Sequence, residues 1–134
     1  MQRDYILNET RKIALMLAKL MGLKTEESNE EFQQYFNEVL HDEYQTELAE
    51  LLELSENEFA EKISTAKYSS EKLNALSQML YVFAEPFTIN DHTALLLKKV
   101  LILFNLLESE HHYESFDNLS KRNKIYSFFK NNYD

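Results

Sequence analysis

Residues 94–107 read ALLLKKVLILFNLL, and the placing of this stretch decides the fold. Fourteen residues fall short of the roughly 20 helical residues needed to cross a bilayer, and Lys98 and Lys99 interrupt them. Wound as a helix, Leu95, Leu96, Leu97, Val100, Leu101, Ile102, Leu103, Phe104, Leu106 and Leu107 cover nearly the whole circumference. A helix apolar all round is buried on several sides. The spacing therefore predicts a central helix over about 92–108, capped by Asn90 or Asp91, with other helices packed around it. Lys98 and Lys99 are expected to reach water along their own stems.

Working outward, apolar residues recur at helical spacing from end to end. Pro86 disfavours helix at Glu85 and ends what precedes it. That preceding helix carries Leu73, Leu76, Leu80 and Phe83 and starts at a Ser69 or Ser70 cap. Ser55-Glu56-Asn57-Glu58 fits a capping box, in which serine and glutamate each bond the other's backbone N–H. It predicts a helix from 56, with Phe59 and Ile63 inward. A short helix over 45–53 carries Leu48, Leu51 and Leu52. Another, over 28–41, carries Phe32, Tyr35, Phe36, Val39 and Leu40. The first stripe is Ile6, Ile13, Leu17, Leu20 and Met21, and Gly22 lies where a left-handed cap could end it. After the central helix, 116–130 carries Phe116, Leu119, Ile125, Phe128 and Phe129. These are seven candidate helices with short loops, the pattern of an antiparallel array.

Composition narrows the function. The chain has 134 residues, one Gly, one Pro and no Cys. Sandwiches and barrels of short strands need many Gly/Pro turns, and phosphate-binding loops need clustered glycines. Without cysteine, disulfides, thiolate zinc sites and cysteine nucleophiles are excluded. The net charge of −9 is uneven. Residues 1–24 carry five bases and two acids, residues 25–66 thirteen acids and one base, and residues 67–134 eight of each. Such an acidic middle coats helices with solvated charge and repels nucleic-acid backbones and anionic membranes. Charges throughout residues 1–24 leave no apolar secretory stretch there, and a cytoplasmic location follows by elimination.

Four histidines are candidates for chemistry: His41, His92, His111 and His112. Glu38–His41 and Glu108–His111 have the Glu-x-x-His spacing that two helices of a di-iron bundle use. At about 100° per residue, Glu38 lies roughly 120° from the centre of its helix's apolar stripe and His41 nearly opposite it. Solvated helix surface is the expectation for both. Glu108 and His111 fall where the apolar helix ends. His92, beside Asp91, reads as part of a capping turn, and no nucleophile elbow occurs. The aromatics are more telling: Tyr5, Tyr44, Tyr68, Tyr81, Tyr113 and Tyr133 are less obviously inside than the phenylalanines, and tyrosine suits protein interfaces. Lys121, Arg122, Lys124 and Lys130 interleave with Tyr126, Phe128 and Phe129 in the manner of a single-strand binder, but the overall acidity opposes that reading.

The opening Met1-Gln2-Arg3-Asp4-Tyr5-Ile6, the stripe to Leu20 and Gly22-Leu23 resemble a family of small uncharacterised bacterial all-helical proteins. So do Glu47-Leu48-Ala49-Glu50-Leu51-Leu52 leading through Leu54-Ser55 to Phe59, and the later pair Leu73-x-x-Leu76 and Ala94-Leu95 with Leu101-x-Leu103-Phe104. In that family the later pair is similar to a tetratricopeptide-type hairpin. The resemblance implies a partly tetratricopeptide-like arrangement. The family carries no assigned activity, so no functional residue is transferred.

The expectation is an all-α single domain, 1–134, of about six or seven antiparallel helices. Its expected role is non-enzymatic protein–protein interaction or self-association, with no cofactor, no nucleic acid and no membrane. The alternative is a small-molecule or metal site near Glu108, His111 and His112. Charge reversal at Glu26, Glu27, Glu30 and Glu31 would alter association if that acidic face is used.

Overall fold

Four helix starts are fixed by side chains that satisfy the orphan N–H groups of a first turn. Ser55 Oγ accepts from the Glu58 N–H at 3.1 Å, and the Ser55 N–H donates to Glu58 Oε1 at 2.9 Å, completing the predicted capping box. Ser69 Oγ accepts from the Lys72 N–H, Asn90 Oδ1 from the Thr93 N–H, and Ser115 Oγ from the Asn118 N–H. A computed structural model describes residues 2–26 and 28–133, with residues 2–7 described by backbone alone. Within these, the chain is all-α with seven helices: α1 (Gln2–Thr25), α2 (Asn29–Tyr44), α3 (Leu48–Glu53), α4 (Glu56–Ala66), α5 (Ser70–Ala84), α6 (Asp91–His111) and α7 (Phe116–Tyr133).

Helix ends are less orthodox. Gln45, Lys67 and His112 close α2, α4 and α6 in the left-handed region, at φ of 48°, 58° and 52°. Glycine is the usual residue there because it has no Cβ to clash. Gly22 is used elsewhere: α1 runs through it to Thr25, so the expected cap at Gly22 is corrected to a helix-interior glycine. Glu85 closes α5 in extended conformation ahead of Pro86, as predicted, and the Glu85–Pro86 bond is cis.

The chain divides into two compact units, 1–53 and 54–134. In the first, α1 packs on α2. Phe32, Phe36, Val39 and Leu40 are buried as expected, with Tyr35 half-buried. Among the described side chains of α1, Met16 and Leu20 are buried, while Ile13 and Leu17 are half-buried. Met21, expected inside, is exposed. Ile6 and Tyr5 lie outside the residues whose side chains are described. Tyr44, less obviously inside by sequence, is buried, as is Tyr81 in the other unit. Lys19 Nζ stands 4.2 Å from the Tyr35 ring centroid, and Lys12 pairs with Glu43.

In the second unit α6 is the centre. It packs most extensively on α5, then on α4, and more lightly on α7. Leu96, Leu97, Val100, Leu103, Phe104 and Leu107 are buried, and Leu95, Leu101, Ile102 and Leu106 are half-buried. Burying each large apolar side chain contributes about 1.5–3 kcal/mol. The two lysines part company. Lys98 is exposed, whereas Lys99 is only 1% exposed, its ammonium 5.8 Å from the Phe59 ring centroid. Burial lowers its pKa from the usual 10.5, opposed by Glu56 and assisted by Lys98. The expectation that both lysines reach water is corrected for Lys99. On α7 the correction is larger. Ile125 is buried, and Phe128 and Phe129 are half-buried, but Phe116 and Leu119 face outward.

Candidate functional site: the outer face of α7

The inner side of α7 is held by amides. Asn118 Nδ2 donates to Asn74 Oδ1 at 2.8 Å, and Gln78 Nε2 donates to Asn118 Oδ1 at 2.9 Å. Asn118 is buried, so these bonds replace water it has lost. One turn further, the Arg122 guanidinium donates from Nη1 to Glu108 Oε1 at 2.7 Å and from Nη2 to Asn105 Oδ1 at 3.2 Å. Its carbon lies 5.8 Å from the Phe104 ring centroid, and its Nε is buried without a hydrogen-bond partner. The hydrogen bond to Glu108, with the carboxylate's charge, raises the Arg122 pKa against its partial burial. An aromatic chain, Tyr81 to Phe87 to Phe128 to Tyr133, seats the C-terminal half.

With Asn118, Arg122 and Phe128 turned inward, α7 presents the opposite side to solvent, and Tyr133, at the end of that side, is exposed while its ring edge still packs on Phe128 and Phe129. Phe116 is 91% exposed, Leu119 49%, Tyr126 52% and Tyr133 46%. Four large apolar or aromatic groups thus lie exposed along one helix. The face runs into a cleft of about 520 Å³ lined by Phe104, Tyr113, Phe116 and Leu119 together with the polar Glu108, Glu114, Asn118 and Arg122.

The three residues of the alternative site separate. Glu108 lines the α7 cleft and is engaged by Arg122. His111, at the end of α6, lines a different cleft with Tyr68 and Glu110, where Ser64 Oγ donates to Glu110 at 2.7 Å. His112 is exposed, and its N–H bonds Leu107 O in the cap. Glu38 and His41 are exposed, as the helical geometry implied, and line a cleft of about 640 Å³ on α2 and α3 with Asp42 and Glu47. His41 Nδ1 lies 3.1 Å from Asp42 Oδ1. His92 is exposed at the start of α6. Among the described residues, no three His, Cys, Asp or Glu side chains converge as metal ligands. Among the described residues, no helix is long and apolar enough to cross a membrane.

Sequence reasoning placed Phe116 and Leu119 in the core, and so missed the face they belong to. The signal was present in the spacing: Phe116, Leu119, Asn123, Tyr126, Lys130 and Tyr133 alternate steps of three and four. The Glu108–Arg122 pair carries no such signal, because two helices must meet before it exists. Compared with protein-family models, curated proteins and solved structures, the chain gives no match.

Proposed function

We propose that this chain is a non-enzymatic helical interaction module whose contact surface is the outer face of α7. One observation carries the reading: four large apolar or aromatic side chains, Phe116, Leu119, Tyr126 and Tyr133, share that face and are exposed. Exposed apolar area is costly in a monomer, and a partner that covers it gains about 25 cal/mol per Å² removed from water. Tyrosine contributes apolar area while its hydroxyl keeps a polar contact. The chemistry at hand supports recognition rather than turnover, since the Glu108 carboxylate is held by Arg122. A cytoplasmic location, and membership of the family of small bacterial helical proteins with its tetratricopeptide-like pair, form part of the same proposal on sequence grounds.

The test is photo-crosslinking in living cells. A photoreactive phenylalanine analogue at position 116 or 126 should give protein adducts, and the same analogue at exposed Glu61 on α4 should give none. Absence of any protein adduct from 116 and 126 would overturn the reading.

A further inference from the structure

The six residues along the outer face of α7 are Phe116, Leu119, Asn123, Tyr126, Lys130 and Tyr133, and all six are exposed. Their steps are three, four, three, four and three, the heptad spacing by which one helix packs along another. The seam spans 17 residue steps, about 26 Å at 1.5 Å per residue. Most heptad seams are buried in a partner helix, and this one is exposed at all six positions, Tyr133 keeping a contact with Phe128 and Phe129 of its own helix.

We propose that the partner is a second copy of this chain, docked along α7 in the antiparallel sense. The proposal rests on the interaction reading above and names its partner. Antiparallel pairing in full overlap sets Phe116 against Tyr133 of the second copy, Leu119 against Lys130, and Asn123 against Tyr126. Every seam residue then has a counterpart, in a closed two-fold arrangement of the kind most homodimers adopt. At the middle of the seam the polar Asn123 then meets the amphipathic Tyr126 of the second copy, whose hydroxyl can bond an amide.

Charge agrees with this direction. Lys130 of the second copy falls beside Leu119, on the rim of the cleft that carries Glu108 and Glu114. Its stem covers the leucine, and its ammonium faces those carboxylates. Parallel pairing would instead set Lys130 against Lys130. Ser120 and Ser127 flank one side of the seam, so no bulky or like-charged pair holds the helices apart there. On the other side, Arg122 is turned inward to Glu108 and Phe129 packs on Phe128, so no charged pair faces the seam there either.

The chain has no cysteine, so introduced thiols report the register cleanly. Light scattering of the full chain should give twice 15.9 kDa, and Phe116→Asp with Tyr126→Asp should halve that mass at unchanged helical content. Leu119→Cys protein mixed with Lys130→Cys protein should form a disulfide-linked dimer on mild oxidation. Leu119→Cys alone should not, because its two thiols would stand about 16 Å apart along the axis, beyond the roughly 7 Å between Cα atoms that a disulfide bridges. Self-linking of Leu119→Cys would overturn the antiparallel register. A monomer whose position-116 adducts are with a different protein, or within its own chain, would overturn the second copy while leaving the interaction reading to stand or be revised on those adducts. A monomer with no adducts would overturn both.

Discussion

Gly22 is the chain's one glycine, and it sits inside a helix while three other helices end on left-handed residues that carry a Cβ. Nothing lies within 4 Å of a Cβ built at Gly22. Gly22→Ala should therefore stabilise the protein by about 0.5–1 kcal/mol, the cost of glycine in a helix interior, read as a higher urea midpoint. Had Gly22 been the cap that its position suggested, alanine would destabilise instead. The sequence marked the residue but not which of two uses the chain makes of it, because helix continuation depends on what α1 packs against. Lys99 is a similar case. Its neighbour Lys98 has the same chemistry, and only the rotation of α6 separates an exposed lysine from a buried one. Burial lowers the Lys99 pKa, so between that lowered value and 10.5 the unfolded chain binds the additional proton. Stability should rise with pH across this window. Lys99→Met should remove that rise, and should stabilise the protein at neutral pH by about 1–3 kcal/mol by relieving a buried polar group. Thermal melts of both proteins across the alkaline range check it.

At the scale of the element, helix starts were the most legible feature. Ser55, Ser69 and Asn90 act within three residues of themselves, so local sequence suffices to find them. The faces of α7 were not legible in the same way. Phe116 and Ile125 are nine residues apart, about 180° around a helix, and a count of apolar residues does not say which of two opposed stripes the core takes. The core takes Ile125, with Asn118 bonded on the same side. Ile125→Ala should cost about 2–5 kcal/mol of stability. Leu119→Ala, on the outer stripe, should change the stability of the dilute chain by less than about 0.5 kcal/mol. Chemical denaturation of the two variants side by side checks both values.

At the scale of the molecule, the acidity is divided unequally. Residues 1–53 carry five bases against twelve acids, a net of −7, and residues 54–134 carry nine against eleven, a net of −2. The unit that holds α7 is thus the one a like-charged copy can approach most closely. Reversal to lysine at Glu26, Glu30 and Glu31 should leave the mass seen by light scattering unchanged, while Lys130→Glu should lower it. Glu27, the remaining residue of that acidic cluster, lies outside the described residues. The amides beneath α7 have a wider effect. Turning the helix by one residue about its axis, about 100°, would carry Asn118 away from Asn74 and Gln78. The stranded polar groups would each cost about 1–3 kcal/mol. The helix behaves as a keyed shaft: its greasy side is denied the core by the hydrogen bonds on its back, and so which surface the protein shows to others is decided by three amides on the inner side.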